Sequence, residues 1–327
     1  MSGLNPQNVQ TITRSLCVDT LFRSNYNLTQ STDYVYTLTE PLNNVVSIKL
    51  AAMELPNMWY NYSSHNKSNQ FTIHCYNIPE TDVSGGLDPT GASYDASYTL
   101  EIPDGNYLAA EFEDIINNLL INTGGGLAYV RFVISEYNTR CAFRAVNEND
   151  VDGINPYSVN FNFYFSLDFR VDNIPMSKTA GWMMGYRLTT YTGSYLDGYS
   201  DLIGTAGPYY NWLLSESSYG SKVDQYLFLE IDDYQRNCVA DKVISSNGTD
   251  YLGNNILARI VVSTGQHTII LDNAYDNVFK KRVYFGPTRL DKFRVRLLDR
   301  HGDIINLNAN DFSFVLEVEQ VYSQNRL

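Results

Sequence analysis

Apolar and polar side chains alternate with a period of two over much of this chain, and turn residues separate the alternating runs. The clearest example lies within Tyr284–Tyr322, where Phe293, Val295 and Leu297 are separated by two arginines. Phe312, Phe314, Leu316 and Val318 form a second such row. Alternation between turns predicts strands of an antiparallel sheet that is buried on one face.

The same pattern predicts most of the other elements. A turn at Glu40–Asn44 is expected to separate two strands, and a Gly-Pro turn is expected at Gly286–Pro287. A hairpin is predicted around Glu136–Thr139. Residues 191–222 are rich in Tyr, Gly and Ser without periodicity, which indicates a long loop.

One segment has helical spacing instead. Between residues 108 and 121 apolar side chains recur at i, i+3, i+4, i+7 and i+8, starting from Phe112, and Gly124–Gly126 follows as a stop. A chain of many short strands with a single clear helix favours an all-β fold, an antiparallel β-sandwich of jelly-roll type with long loop insertions.

The expected organisation is an irregular N-terminal arm, residues 1–30, followed by one sandwich domain, residues 31–327, with an insertion around 191–256. The absence of a linker-like change in composition favours one domain, although two sandwiches remain an alternative.

Composition narrows the range of functions that this chain could have. Only 18% of residues are charged while Tyr occurs 26 times, a balance that suits protein–protein contact. The net charge of −13 argues against nucleic acid as a partner. The start of the chain shows no secretory signal, no run is long enough to span a membrane, and four widely spaced cysteines are expected to be reduced.

The charge is unevenly distributed. The window 280–300 has a formal charge of +6, which leaves −19 for the rest. Such a layout suits docking of charge-complementary copies or partners, although a solvated strand face is an equal alternative. The candidate interface residues are Lys280, Lys281, Arg282, Arg289, Lys292, Arg294, Arg296 and Arg300.

Catalytic chemistry is not visible in the sequence. None of the four histidines, His65, His74, His267 and His301, lies in a hydrolase or metalloprotease motif. Two carboxylate pairs, Glu317 with Glu319 and Glu230 with Asp232, have a spacing that a glycosidase could use, but solvent-facing strands show the same spacing.

The acidic pair Asp232–Asp233 lacks the frame of a calcium loop. No catalytic, cofactor or metal site is therefore expected. Aromatic clusters around Trp59 and Trp212 leave one binding alternative open, a carbohydrate-binding jelly roll on a virion surface.

Two separate blocks resemble a known family. They are TRSLCVDTLFRSNYNLTQSTDYVYTLTEPLNNVVSIKLAAMELPNMWYNYS (13–63) and KKRVYFGPTRLDKFRVRLLDRHGDIINLNANDFSFVLEVEQVY (280–322). Both look like the minor capsid and penton-type jelly-roll proteins of nucleocytoplasmic large DNA viruses. The segments 102–120 and 178–193 also match the middle of that pattern.

The resemblance implies a non-enzymatic structural component of an icosahedral giant-virus capsid, either the penton at the vertex or a minor capsid protein. It implies assembly in the host cytoplasm and a final place in the virion. The partners expected are the major capsid protein, other minor capsid proteins, further copies in a homo-pentamer and the inner viral membrane. By analogy with such shells, the N-terminal arm is expected to reach a neighbouring subunit.

Overall fold

A computed structural model describes residues 10–80, 92–146, 163–193, 212–220, 224–238, 255–273 and 280–322. Within these ranges the α-helices are α1 (Ala109–Thr123) and the single-turn α2 (Ala180–Met183). In chain order the strands are β1 (Gln10–Asp19), β2 (Asp33–Pro56), β3 (Gln70–Pro79), β4 (Ser93–Glu101), β5 (Val130–Ile134), β6 (Arg140–Ala145), β7 (Tyr164–Asp168), β8 (Thr190–Thr192), β9 (Trp212–Ser218), β10 (Tyr226–Asp232), β11 (Ile256–Val261), β12 (Ile269–Asn273), β13 (Lys281–Leu298) and β14 (Ser313–Tyr322).

The chain divides into two compact units. Unit 1 comprises residues 1–59 and 224–327, and unit 2 comprises residues 60–223. The expected single sandwich of residues 31–327 stays a prediction, and the insertion expected around 191–256 falls largely outside the described residues. Of the expected arm, residues 1–9 also lie outside them, while residues 10–19 form β1.

Unit 1 is built on one antiparallel sheet with the strand order β1-β14-β2-β13-β10-β11, and β12 also pairs with β2. Its core contains the predicted rows, including Val295, Leu297, Phe314, Leu316 and Val318, which are all at most 1% exposed. The prediction of an all-β, antiparallel fold of jelly-roll type is confirmed, because antiparallel strands form both units.

The predicted turn at Glu40–Asn44 is wrong, because β2 runs through it without interruption. Asn44 has a positive φ of 57°, and the register with β14 shifts twice, between Val315 and Leu316 and between Glu319 and Gln320. An extra residue at each shift reverses which side chains face inward. The bulges therefore keep Val45, Ile48, Leu50 and Met53 buried although their spacing is irregular. The predicted Gly-Pro turn is also wrong, since Gly286 and Pro287 lie inside β13.

Unit 2 contains two antiparallel sheets, β4-β3-β7-β8 and β5-β6-β9, together with α1. Helix α1 buries Phe112, Ile116 and Leu120 and ends at Gly124, as the spacing predicts. The predicted hairpin is β5–β6. The predicted loop at 191–222 is wrong for residues 212–218, which form β9 against β6.

Candidate interface on the basic strand

The eight basic candidates lie along one strand and its ends. Six are on β13, Lys280 precedes it, and Arg300 lies in the turn that follows. Residues 282, 284, 290, 293, 295 and 297 of β13 point into the protein, so the basic side chains divide between its two faces. Their exposure and their partners therefore differ from one residue to the next.

Two of the candidates are buried. The guanidinium of Arg282 lies 2.8 Å from the Asp233 carboxylate, and the two side chains are 4% and 1% exposed. Tyr284 also donates its hydroxyl to Asp233, and Arg282 Nη2 donates to the carbonyl of Asn255 at 2.8 Å. Burial works to lower the pKa of Arg282, but the adjacent Asp233 outweighs it and raises that pKa above its ordinary value.

Lys280 is similarly enclosed, with Nζ 2.5 Å from Asp272 Oδ1 and a side chain that is 7% exposed. An ammonium or guanidinium that already has a buried carboxylate partner has no charge left to present to a neighbour. Lys280 and Arg282 are therefore corrected from candidate contact residues to internal ion pairs of unit 1.

Three candidates are partly buried, and two of them cross-link strands. Arg294 donates twice to Asp33 on β2, at 2.7 Å for both bonds, and this pairing raises its pKa. Arg296 donates to Glu230 on β10 at 2.6 Å. The register explains the choice of partners, because Arg296 lies opposite both Asp33 and Glu230.

Arg300, beyond the end of β13, has its Nε 3.6 Å from Asp224. The geometry of this pair is looser than that of the strand arginines. Like Arg294 and Arg296, Arg300 is paired with a carboxylate that belongs to unit 1.

The remaining three candidates are exposed. Lys281 lies 3.4 Å from Glu319, and Arg289 lies 2.8 Å from Asp291 two residues away. Lys292 Nζ lies 4.9 Å from the ring centroid of Tyr234, a cation–π distance. These side chains retain access to solvent and to a partner.

The structure thus shows a ladder of ion pairs across the sheet, whose acidic members the sequence reasoning did not select as partners. They are Asp33, Asp224, Glu230, Asp233, Asp272, Asp291 and Glu319. One signal was present, since Glu230 and Asp232 alternate along β10 with the same period as Arg294 and Arg296 along β13.

The carboxylate pairs considered for glycoside hydrolysis belong to the same network. Glu317 lies 3.9 Å from Lys49, and Glu319 accepts a hydrogen bond from Ser47 at 2.9 Å. The Ser47 bond is the largest of several contacts that hold the pKa of Glu319 below its ordinary value of 4.5. Glu230 is only 2% exposed. Each of these three carboxylates is thus paired with a basic side chain of unit 1, Glu317 with Lys49, Glu319 with Lys281 and Glu230 with Arg296.

Asp232 and Asp233 point to different partners. An oxygen of Asp232 accepts the backbone N–H of Tyr234 at 2.9 Å, and Asp233 is bound by Arg282. Among the described residues no group of three or more His, Cys, Asp or Glu side chains is arranged to hold a metal ion. All four cysteines are free thiols, and Cys75 and Cys141 are buried.

The aromatic candidates are placed unfavourably for stacking on a sugar. Trp59 is 6% exposed and belongs to the core of unit 1. Trp212 starts β9 and is partly buried, and the four residues before it in the PYYNW segment lie outside the described residues. His74 on β3 is within 2.7 Å of Ser97 Oγ and 3.9 Å of Asp168, so its surroundings are those of a polar sheet face.

Comparison with known proteins gives distant likenesses to solved structures. No family model matches the chain, and no curated protein matches it. The crystal structure of a selenomethionine-labelled mavirus penton protein superposes with a TM-score of 0.44 at 9% identity, covering 96% of this chain and all of that one. The 3.5 Å cryo-EM structure of the Sputnik virophage gives 0.41 at 14% identity, with coverage of 95% and 98%. No helix in the described ranges is long and apolar enough to cross a membrane.

Proposed function

We propose that this chain is a structural, non-enzymatic protein of an icosahedral large-DNA-virus capsid, either the penton or a minor capsid protein beside the major capsid protein. One observation carries the proposal. The two blocks that resemble this family, residues 13–63 and 280–322, are far apart in the sequence, yet β2 of the first block lies between β13 and β14 of the second. A chance resemblance would have no reason to fall on segments that pair with each other.

The surface chemistry suits repeated subunit contacts. Ion pairs within the sheet leave Lys281, Arg289 and Lys292 as the exposed part of the basic strand. On this proposal they face acidic surfaces of neighbouring capsid proteins, of further copies in a pentamer, or of the inner viral membrane. The protein would assemble in the host cytoplasm and remain in the virion.

The particle itself provides the direct test. We expect the chain to be found in purified virions by mass spectrometry, in a fixed ratio to the major capsid protein, and at one symmetry-related position in a reconstruction. A stable pentamer in solution favours the penton, and a monomer favours the minor-protein role. Absence from extensively washed particles would contradict the proposal.

The basic strand is tested separately by the double variant Arg289→Glu/Lys292→Glu, which leaves the buried ion pairs in place. We expect reduced incorporation into particles, with a defect that changes with ionic strength, because exposed charge contacts are screened by salt. Lys67→Glu, an exposed reversal in unit 2, is the matched control. Normal incorporation of the double variant would remove these residues from the interface.

A further inference from the structure

Unit 1 contains an open groove of about 360 Å³ at the Ser313 end of β14. Apolar atoms of Leu21, Pro56 and Ile269 contribute to its walls. Leu21 is 51% exposed and Ile269 is 59% exposed. Apolar side chains this open, on either side of a concave surface, are typical of a contact site.

Two carboxylates in the groove have no cationic partner among the described residues. Asp19 Oδ1 accepts the N–H of Leu21 at 2.9 Å, and Glu54 Oε2 accepts the hydroxyl of Ser313 at 2.7 Å. Within the same ranges neither forms an ion pair, whereas the adjacent Asp311 lies 2.5 Å from Arg23.

The sheet register fixes the direction of these two side chains. Asp19 and Glu54 both lie opposite Ser313, so all three share one face of the sheet, and the two acids are about 10 Å apart across two strand spacings. The groove therefore presents two uncompensated negative charges between apolar walls. The complementary ligand is a basic side chain next to a large apolar one.

The chain itself contains such a segment. Of the sequences outside the described residues, most carry aspartate or glutamate, and residues 1–9 carry no basic side chain. Residues 323–327, Ser-Gln-Asn-Arg-Leu, combine a positive charge with leucine and have no acid. Residues 221–223, Ser-Lys-Val, also carry a positive charge and no acid, but their apolar side chain is valine rather than a large one.

The segment 323–327 cannot reach the groove of its own molecule. It follows Tyr322, and β14 places Tyr322 nine residues from Ser313, which is about 30 Å at the rise of a strand. Five residues span at most about 17 Å when fully extended. The contact must therefore come from another molecule.

We propose that the groove binds residues 323–327 of a second copy of this chain. Arg326 of that copy approaches Glu54 and Asp19, and Leu327 packs against Leu21 and Ile269. A contact between two different surfaces of the same protein is heterologous, so its repetition gives a closed ring or an open chain. This inference concerns self-association alone and goes beyond the capsid role proposed above.

The test measures self-association of the purified full chain by sedimentation velocity over a range of concentrations. We expect concentration-dependent association of the wild type. Glu54→Arg and Arg326→Glu should each weaken it by about tenfold or more, because each places like charges in contact. Glu40→Arg, an exposed reversal fourteen residues earlier on β2, is the control and should associate normally.

Mixing the two variants distinguishes a lost contact from damage to the fold. A Glu54→Arg copy keeps its native segment 323–327, and an Arg326→Glu copy keeps its native groove, so an equimolar mixture should form pairs that neither variant forms alone. A wild type that is monomeric at all concentrations would overturn the proposal. So would variants that associate normally, or a mixture that does not restore pairing.

Discussion

At the scale of single residues, the most informative group is the buried set around Asp233. Arg282, Tyr284 and the backbone of Gln235 all donate to its two oxygens. Burial is the largest cause that raises the pKa of Tyr284. Each partner in such a set compensates for the desolvation of the others, so the set is sensitive to loss of any one member.

Replacing Arg282 by methionine should therefore destabilise the protein strongly. The change leaves the Asp233 carboxylate buried without its cation, a situation that costs about 3–5 kcal/mol. Urea unfolding followed by circular dichroism measures the difference in the free energy of unfolding. Arg289→Met is the matched control, since the Arg289–Asp291 pair is exposed and should contribute less than about 1 kcal/mol. Equal effects of the two substitutions would contradict the assignment of a buried ion pair.

The basic strand also shows what a sequence does and does not reveal about a residue. Alternation alone identifies Phe293, Val295 and Leu297 as buried, and all three are at most 2% exposed. It does not identify the partner of Arg294, because Asp33 is more than 250 positions away and is brought beside it only by the register of β2 with β13. Long-range register depends on the packing of the whole sheet, which a local pattern does not encode.

At the scale of elements, β2 is the strand that the pattern described least well. Its apolar positions lose their period of two near Asn44, and polar residues around that point resemble a turn. A bulged strand produces the same local signal as a turn, because both interrupt alternation and both favour residues that tolerate a positive φ. The continuity of β2 is shown only by its pairing with β13 and with β14 along its length.

Asn44 should consequently tolerate glycine but not a β-branched residue. We expect Asn44→Val to lower the free energy of unfolding by about 1–2 kcal/mol, because a left-handed backbone is costly for valine. Asn44→Gly should change it by less than about 0.5 kcal/mol. The side chain is exposed, so packing does not confuse the comparison. Equal effects in thermal or urea unfolding would show that the positive φ at this position is not required.

Glu319 links several strands and gives unit 1 a dependence on pH. It accepts from Ser47 on β2 and pairs with Lys281 on β13, and these contacts hold its pKa below the ordinary value of 4.5. A depressed folded pKa contributes stability that is present above the unfolded pKa and is lost as pH falls through the folded pKa.

We therefore expect the wild type to be more stable than Glu319→Gln at pH 7, with the difference shrinking as the pH falls below about 4.5. Urea midpoints measured from pH 7 to pH 3 provide the test. Ser47→Ala, which removes the largest cause of the shift, should move the loss of stability to higher pH. A difference between wild type and Glu319→Gln that stays constant with pH would refute this assignment.

At the scale of the whole molecule, the chain leaves one unit and enters the next without a linker. In the segment MWYNY, Trp59 belongs to the core of unit 1 and Tyr62 to the core of unit 2. A boundary between two aromatic residues that are three positions apart and belong to different cores has no signature in composition. That is why the sequence predicts one sandwich, whereas the contacts divide residues 60–223 from the rest.

Unit 2 is continuous in sequence and has its own core, in which the ring of Phe112 lies 4.8 Å from Tyr62, 5.6 Å from Phe132 and 5.0 Å from Tyr219. We expect residues 60–223 to fold alone, with one cooperative thermal transition and dispersed amide resonances. Phe112→Ala should destabilise this fragment by about 3–5 kcal/mol. In the full chain we expect two resolved thermal transitions. The same substitution should lower the midpoint temperature of only one of them, because the hydrophobic core of unit 1 does not include Phe112. A fragment without a cooperative transition would show that unit 2 depends on unit 1 for its stability.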